Sequence, residues 1–396
     1  DIQRGEGEFL WPTDEVFPNH HLKQALDLSR LEDALALLDE AERPVILAGG
    51  GTVSSGASRR LLRLAERGNI PVAVTLMGKG AFPEDHRLSL GMAGMHGTPA
   101  ANTALSEADV VLAIGARFSD RTTGKVQDFA KGASLIHVDI DHAEIDKIVS
   151  CDVALVGDAA LVTGLLADGA REARRDDWTE RLRDLADEMP LFDSGDCSFS
   201  PGAIFEAVRR RADGHTIAVT DVGQNQMWAA LHWRAGGPRT FLSSGGLGTM
   251  GFSLPAAMGA SFASGEAPTI CFAGDGGFLM TCQELETCAR YRLPVKVVLL
   301  NNGCLGMVRQ WQELFWGERY SATTHAPACD FTALASAFGV PARACDDLDG
   351  LEGALDFAFD ISGPTLIECR IPQGELVMPM VPAGTALKDF MYRVRA

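Results

Sequence analysis

The sequence has no apolar run of the roughly 18 residues that a membrane-spanning helix needs, no signal-peptide pattern at its start and no CxxC pair. Positive charge is the scarcer sign. Lys and Arg number 35 against 53 Asp and Glu, a formal net charge of −18. That balance works against nucleic acid or an anionic membrane as the main partner, although backbone N–H groups or a metal ion can still build a local anion pocket. The nine cysteines stand at 151, 197, 271, 282, 288, 304, 329, 345 and 369, several of them inside apolar runs such as TICFAG. Such spacing reads as free thiols of a reducing, cytoplasmic compartment, not as a disulfide framework or a zinc site. No short-period repeat is visible. The chain opens DIQRGEGEFLWP without Met, which reads as a processing or cloning boundary.

What is present is ordinary for a globular protein in bulk and specific in pattern. The 396 residues imply two or three domains, and 46% are hydrophobic and 22% charged. From Leu31 to Ala170, four apolar runs (RPVILAGGG, IPVAVTLMGKG, ADVVLAIGARFSD, ASLIHVDIDHAEI) end in Gly or Asp and alternate with helical stretches. From Pro201 the alternation resumes with HTIAVTDVGQNQ, APTICFAGDGG, PVKVVLLNNG and GPTLIECRIP, while FLSSGGLGTMGFSLPAAMGASFA reads as a glycine-rich loop entering an Ala-rich helix. The expected fold class is α/β, with two doubly wound domains of mainly parallel sheets and helices on both faces. The expected division is an N-terminal linker over 1–30, a first domain over 31–170, a charged linker helix and loop over 171–200, and a second domain over 201–396.

In a parallel sheet, ligands bind beyond the carboxyl ends of the strands. Asp275 follows TICFA and Asn302 follows VKVVLL, with a helical segment between them whose Thr281 and Glu284 have capping-box spacing. One strand–helix–strand unit therefore brings a carboxylate and an amide oxygen to one sheet edge. These are hard ligands suited to magnesium, which completes its octahedron with waters and phosphate oxygens. Gly274, Gly276 and Gly277 let backbone approach an anion there. GDGG and NNG are each common turn sequences; the joint spacing and the strand context carry the reading.

GDG followed at this distance by NN is the thiamine-diphosphate-binding signature. The surrounding QELET, LPVKVVLLNNG, LGMVRQWQELF, SGGLGTMGFSLPAA and PMVPAGTALKDF resemble the acetohydroxyacid (acetolactate) synthase catalytic subunits over nearly all of the chain. The resemblance implies that Asp275, the side chain of Asn302 and the main-chain carbonyl of Cys304 hold magnesium. It implies that Gln224 and Asn225 of DVGQNQ, with Gly276 and Gly277, hold the diphosphate; family members often have His where Asn225 stands. Gly248 and Met250 of GGLGTMG would hold the aminopyrimidine, with the Met250 side chain wedged under the bent coenzyme. Read without the resemblance, Met250 is core filler.

The family's activating acid is a Glu on an N-terminal pyrimidine-binding domain, supplied across a subunit interface. DIQ resembles that domain's last residues, so the chain is expected to lack it and to show negligible synthase activity alone.

The first half carries VILAGGGTVSSG, in which Ser54 breaks the GxGxxG dinucleotide pattern. The resemblance implies a structural FAD there. The matching residues are Gly49, Gly50 and Gly51; Thr75, Leu76 and Met77; Gly94, Met95 and His96; Gly115 and Arg117; and Asp139 and Asp158. Where the family usually reads GARFDDR, this chain has Ser119, which weakens the FAD expectation without removing it.

Arg121 is expected to pair with the carboxylate of the second substrate, as a guanidinium fork can, the alternative being a surface ion pair. Val308 and Trp311, three apart on one helix face, are expected to shape the acceptor pocket; a core pair is the commoner explanation of such spacing. The implied reaction decarboxylates pyruvate and joins the hydroxyethyl carbanion to pyruvate or 2-ketobutyrate, in branched-chain amino-acid synthesis. The implied partners are 2-keto acids, further copies in a dimer or tetramer, and a small regulatory subunit, with no nucleic acid and no membrane. Two alternatives stay open: another thiamine-dependent decarboxylase or carboligase, and a non-catalytic cofactor-binding module that needs a partner chain.

Overall fold

A computed structural model describes residues 5–8, 26–191, 199–265, 267–324 and 329–392. Most of the linker expected over 1–30, and residues 192–198 of the expected loop, lie outside them.

Among the described residues, twelve strands form two six-stranded sheets in which every neighbouring pair is parallel. The first contains β1 (Pro44–Ala48), β2 (Val72–Val74), β3 (Ser89–Met92), β4 (Val110–Ile114), β5 (Ser134–Asp139) and β6 (Val153–Val156), in the order β3-β2-β1-β4-β5-β6. The second contains β7 (Ile217–Thr220), β8 (Phe241–Ser243), β9 (Thr269–Gly274), β10 (Val295–Asn301), β11 (Ala342–Cys345) and β12 (Thr365–Arg370), in the order β11-β12-β10-β9-β7-β8. In the first sheet the connections reverse direction between β1 and β4; in the second, apart from β12 returning to insert between β11 and β10, they reverse between β7 and β9. These are the crossing points at which doubly wound sheets open a crevice.

Both faces of each sheet are covered because successive side chains of a strand point to opposite sides. Ile46 and Ala48 of β1 pack with Leu61, Leu64 and Leu166 on one face. Val45 and Leu47 pack with Leu105, Trp178 and Leu182 on the other. In the second sheet, Ile270 and Phe272 join Phe205 and Trp228, while Cys271 and Ala273 join Leu254 and Phe331. A fully buried Leu, Ile or Phe contributes about 1.5–3 kcal/mol, so strands that are apolar on both faces hold each layer.

The sequence-based reading named four apolar runs in the first half; β3 and β6 are additional. In the second half β8 and β11 are additional too. β3 is only partly buried until Met92, and β8 has three residues, so neither presents a run long enough to read. The charged segment after 170 forms a helix over Asp176–Glu188 that packs on the first sheet through Trp178 and Leu182. Arg175 anchors its start by donating to the carbonyls of Leu38, Ala41 and Gly68. Among the described residues no helix is long and apolar enough to cross a membrane.

Candidate functional site

At the crossing point of the first sheet, the turn after β1 meets the turn after β4 backbone to backbone. Gly49 N–H donates to the Ile114 carbonyl at 2.9 Å and Gly51 N–H to the Gly115 carbonyl at 3.0 Å. A Cβ on Gly49 would overlap the Gly115 carbonyl oxygen, and one on Gly51 would stand 2.7 Å from Gly115 Cα. Only glycine fits there. Gly50, Gly51 and Gly115 face a cleft of about 1590 Å³, whereas Gly49 sits behind them and does not line it.

In the second sheet, β9, which flanks the crossing point, runs beside β10 with Leu300 opposite Gly274, and the two deliver Asp275 and Asn302 to the same cleft. Both are nearly buried, as is Cys304. The Cys304 thiol is pushed up to about 11, first by burial and then by the Asp275 charge, and a soft sulfur suits magnesium poorly. Among the described residues no three His, Cys, Asp or Glu side chains gather as a metal site. Any metal here relies instead on one carboxylate with amide and carbonyl oxygens, a donor set that suits a hard cation.

The capping box expected from Thr281 and Glu284 does not form. Thr281 precedes a short 3-10 turn over Cys282–Glu284 but caps nothing with its side chain; its hydroxyl donates to the Gly251 carbonyl at 2.9 Å. The glycine loop, a long-range partner, takes the hydroxyl from the local helix start.

That loop is held from beneath by Asp221, the fully buried residue after β7. Its carboxylate accepts the N–H groups of Val222, Gly251 and Ser253 and the Ser253 hydroxyl, at 2.9 to 3.1 Å. A Cβ on Gly277 would overlap Asp221 Oδ1, so the GDGG turn packs directly on this carboxylate. Sequence reasoning passed over Asp221; the only sign of it was an acid at a strand end, opening DVGQNQ. Above it, Gly248 has φ +62 and Gly251 φ +86, left-handed conformations that favour glycine. Gly248 and Met250 line the cleft, and Leu247 between them is 94% exposed.

Gln224 and Asn225 open the helix Gln224–His232 and line the cleft. The Gln224 side chain presents no donor for a diphosphate. Both its N–H bonds are taken, by Gln310 Oε1 at 3.0 Å and the Glu375 carbonyl at 2.8 Å, and its Oε1 accepts from Asn302 Nδ2 at 2.9 Å. Asn225 spends one N–H on the Val222 carbonyl at 2.8 Å and keeps the second. Its buried Oδ1 has no partner among the described residues.

On the opposite wall, Thr75 caps the turn Leu76–Gly78, which carries Met77 to the cleft, 46% exposed. A Cβ on Gly245 would overlap Met77 Sδ, so the two halves touch at this point. Met95 and His96 line the cleft, but Gly94 does not; at φ +113 it packs against the Arg121 carbonyl. His96 is pulled down to about 4 by burial, despite its Nδ1 lying 3.1 Å from the Pro379 carbonyl; the Arg121 charge lowers it further. Asp139 ends β5 at the cleft, and burial raises its carboxyl above the usual range. Arg117 and Arg121 both line the cleft; Arg121 has an exposed contact to Asp120 at 3.2 Å, a weak pair in water. Asp158 is elsewhere. It caps the helix Ala159–Gly169 by accepting from Ala160 and Leu161 N–H, and it does not line the cleft. Val308 and Trp311 lie on the helix Gly306–Phe315 and both line the cleft, with Val308 about half exposed.

A cleft of this volume exceeds the roughly 300–1,000 Å³ of a single small-ligand pocket and is walled by both sheets' crossing points. The profile described as "Thiamine pyrophosphate enzyme, central domain" matches residues 31–166, and "Thiamine pyrophosphate enzyme, C-terminal TPP binding domain" matches residues 221–369. The chain is 44% identical to a probable acetolactate synthase large subunit of Methanocaldococcus jannaschii, over 100% of its own length and 69% of that protein's. It is 47% identical to the acetolactate synthase large subunit of Parasynechococcus marenigrum, over 89% of its length and 58% of that protein's. Against the acetolactate synthase isozyme 2 large subunit of Escherichia coli the identity is 42%, over 92% of this chain and 66% of the relative. With two matched thiamine pyrophosphate enzyme domains and this similarity to large subunits, the chain belongs to the acetolactate synthase large-subunit family of thiamine pyrophosphate enzymes.

Proposed function

We propose that this chain supplies the diphosphate-, magnesium- and flavin-binding parts of an acetolactate synthase. The whole enzyme decarboxylates pyruvate and joins the two-carbon unit to a second pyruvate or to 2-ketobutyrate. The observation that carries the reading is the convergence of Asp275 and Asn302, from neighbouring parallel strands, on a cleft they share with the 245–251 glycine loop.

The residues fit the group. Asp275, the Asn302 amide oxygen and the Cys304 carbonyl would hold magnesium, and Gly276, Gly277 and the free N–H of Asn225 would face the diphosphate. When bound, thiamine diphosphate supplies the electron sink for decarboxylation of a 2-keto acid. The chain's own residues bind and orient. Met250 and Gly248 would set the pose of the pyrimidine ring, and Asp221 fixes their loop. Val308 and Trp311 would exclude water from the acceptor side, and Arg121 would pair with the acceptor carboxylate. The opposite wall, from Gly50 and Gly51 through Thr75–Met77 and His96 to Gly115, Arg117 and Asp139, would take FAD in a structural role.

The reading further places the protein in the cytoplasm, as a homo-oligomer with a small regulatory subunit. It also assigns the acid that activates the pyrimidine to the part of the relatives' length that the chain does not span. Calorimetric titration of the chain with thiamine diphosphate tests the core of the proposal. Binding that requires Mg²⁺ and is abolished by Asp275→Ala is expected; metal-independent binding overturns it. Incubation with pyruvate should yield negligible acetolactate, and added FAD should be retained through gel filtration. With the whole enzyme, release of acetaldehyde instead of acetolactate would favour a simple decarboxylase.

A further inference from the structure

Three buried carboxamides form a chain that runs back from the cleft wall, and their order leaves no freedom in how the one at the metal position faces. The two ends of a carboxamide are nearly isosteric, so its orientation is set by its partners. The first partner here is unambiguous, because a backbone N–H can only donate. Val377 N–H points at Gln310 Oε1 at 2.8 Å, while Gln310 Nε2 donates to the Val377 carbonyl at 3.2 Å and reaches Met380 Sδ at 3.6 Å. With that oxygen fixed, the group facing it at 3.0 Å has to be a donor, Gln224 Nε2, which also donates to the Glu375 carbonyl at 2.8 Å. Gln224 Oε1 is then left to accept from Asn302 Nδ2 at 2.9 Å. Asn302 Oδ1 must therefore face away from Gln224; it receives only a long bond of 3.3 Å from Cys304 N–H. A Cβ on Gly306 would overlap Gln224 Oε1, so the helix start leaves room for this chain and nothing more.

We infer that Gln310 and Gln224 are positioning residues that lock the Asn302 side-chain oxygen toward the metal, taking their orientation from the backbone of residues 375–377. The inference rests on the magnesium reading above and assigns the Gln224 side chain a role other than contact with the diphosphate. Gln310 lies on the helix that presents Val308 and Trp311 to the cleft but is itself 1% exposed, so it acts only through its neighbours. The 375–381 segment is anchored on the first half as well, through Val381 N–H to the Met95 carbonyl at 2.7 Å. The orientation of a metal-facing oxygen is thus tied to backbone that spans both halves.

Mg²⁺ demands near-ideal octahedral geometry, whereas Ca²⁺ tolerates irregular oxygen cages. A loosened Asn302 should therefore penalise Mg²⁺ more than Ca²⁺, a difference that a general loss of packing would not produce. The test measures Mg²⁺ and Ca²⁺ affinities of the 396-residue chain in saturating thiamine diphosphate, for Gln310→Met, Gln224→Met and Asn302→Ala. Both Met variants are expected to lose roughly 10–100-fold in Mg²⁺ affinity, as removal of groups that orient metal ligands does, and a smaller factor in Ca²⁺ affinity. Affinities within twofold of the parent chain, or equal losses for both ions, in whichever Met variant stays folded overturn the inference. If Asn302→Ala lowers Mg²⁺ affinity while the Met variants do not, the relay alone is wrong. If Asn302→Ala also has no effect, the magnesium reading fails and the relay with it.

Discussion

Asp221 and Ser253 are joined twice: one carboxylate oxygen accepts both the Ser253 N–H at 3.1 Å and the Ser253 hydroxyl at 2.9 Å. The same carboxylate takes Gly251 N–H at 3.1 Å, so the end of the glycine loop and the start of the helix Ser253–Ser264 hang from one buried acid. Replacement by Ala would strand three N–H groups and a hydroxyl without water, each costing about 1–3 kcal/mol unless the loop shifts to rehydrate it. For Asp221→Ala we expect a loss of about 3–5 kcal/mol, read from the urea midpoint. A loss under about 1 kcal/mol would mean that the loop is held by other contacts.

Gly277 and Gly246 make a contrast within one cleft. An added methyl at Gly277 has no room beside Asp221, whereas nothing lies within 4 Å of the corresponding position at Gly246. Gly277→Ala should cost about 3 kcal/mol, at the upper end of overpacking in a rigid site. Gly246→Ala should stay within about 0.5 kcal/mol of the parent. Equal effects in thermal denaturation would contradict the packing described for the GDGG turn.

The two neighbours on either side of the candidate metal position should also separate. Magnesium takes hard oxygen donors, so at Cys304 the main-chain carbonyl and not the soft sulfur is the expected contribution. Cys304→Ala is expected to keep metal-dependent thiamine diphosphate affinity within about twofold, while Asp275→Asn, which removes the one carboxylate, should lower it by at least roughly tenfold. A large loss on replacing the thiol would restore sulfur as a ligand.

His96 sets a pH dependence. Its folded-state value of about 4 lies below the ordinary 6.5, so between those values the unfolded chain takes up a proton that the folded chain refuses. The stability is fully present above pH 6.5, falls as the pH drops toward 4, and levels off below. His232, partly buried and also pulled down to about 4 by desolvation and then by the Lys79 charge, acts in the same direction. Each histidine should account for about 2 kcal/mol of stability lost between pH 7 and pH 5. Urea titrations at the two pH values check it: His96→Gln should remove one such share of the loss, and an unchanged slope would show that His96 protonates freely in the folded chain.

The alternation of apolar runs with helical stretches was enough to specify a doubly wound parallel α/β chain, because β1, β4, β9 and β10 are buried on both faces and run into Gly, Asp or Asn turns. The same pattern put Asp275 and Asn302 at one sheet edge, since consecutive parallel strands joined by a helix lie side by side. Short edge strands escaped notice. β8 and β11 present few apolar residues, so their pairing is decided by the neighbour they dock on, not by local preference.

Side-chain partners were a different matter. Asp158 looked like a strand-end acid and is a helix cap; Thr281 looked like a cap and bonds to a loop thirty residues earlier. Gln224 looked like a phosphate donor, yet it spends its hydrogens on Gln310 and the Glu375 carbonyl. Periodicity and turn chemistry are local, and the sequence by itself determined what they govern: the layers, the strand ends and the types of atom that reach them. Which way each amide and carboxylate faces depends on donors and acceptors brought together from distant segments. Only the tertiary structure decided that, because a buried polar group takes whichever partner the packing puts within 3 Å of it.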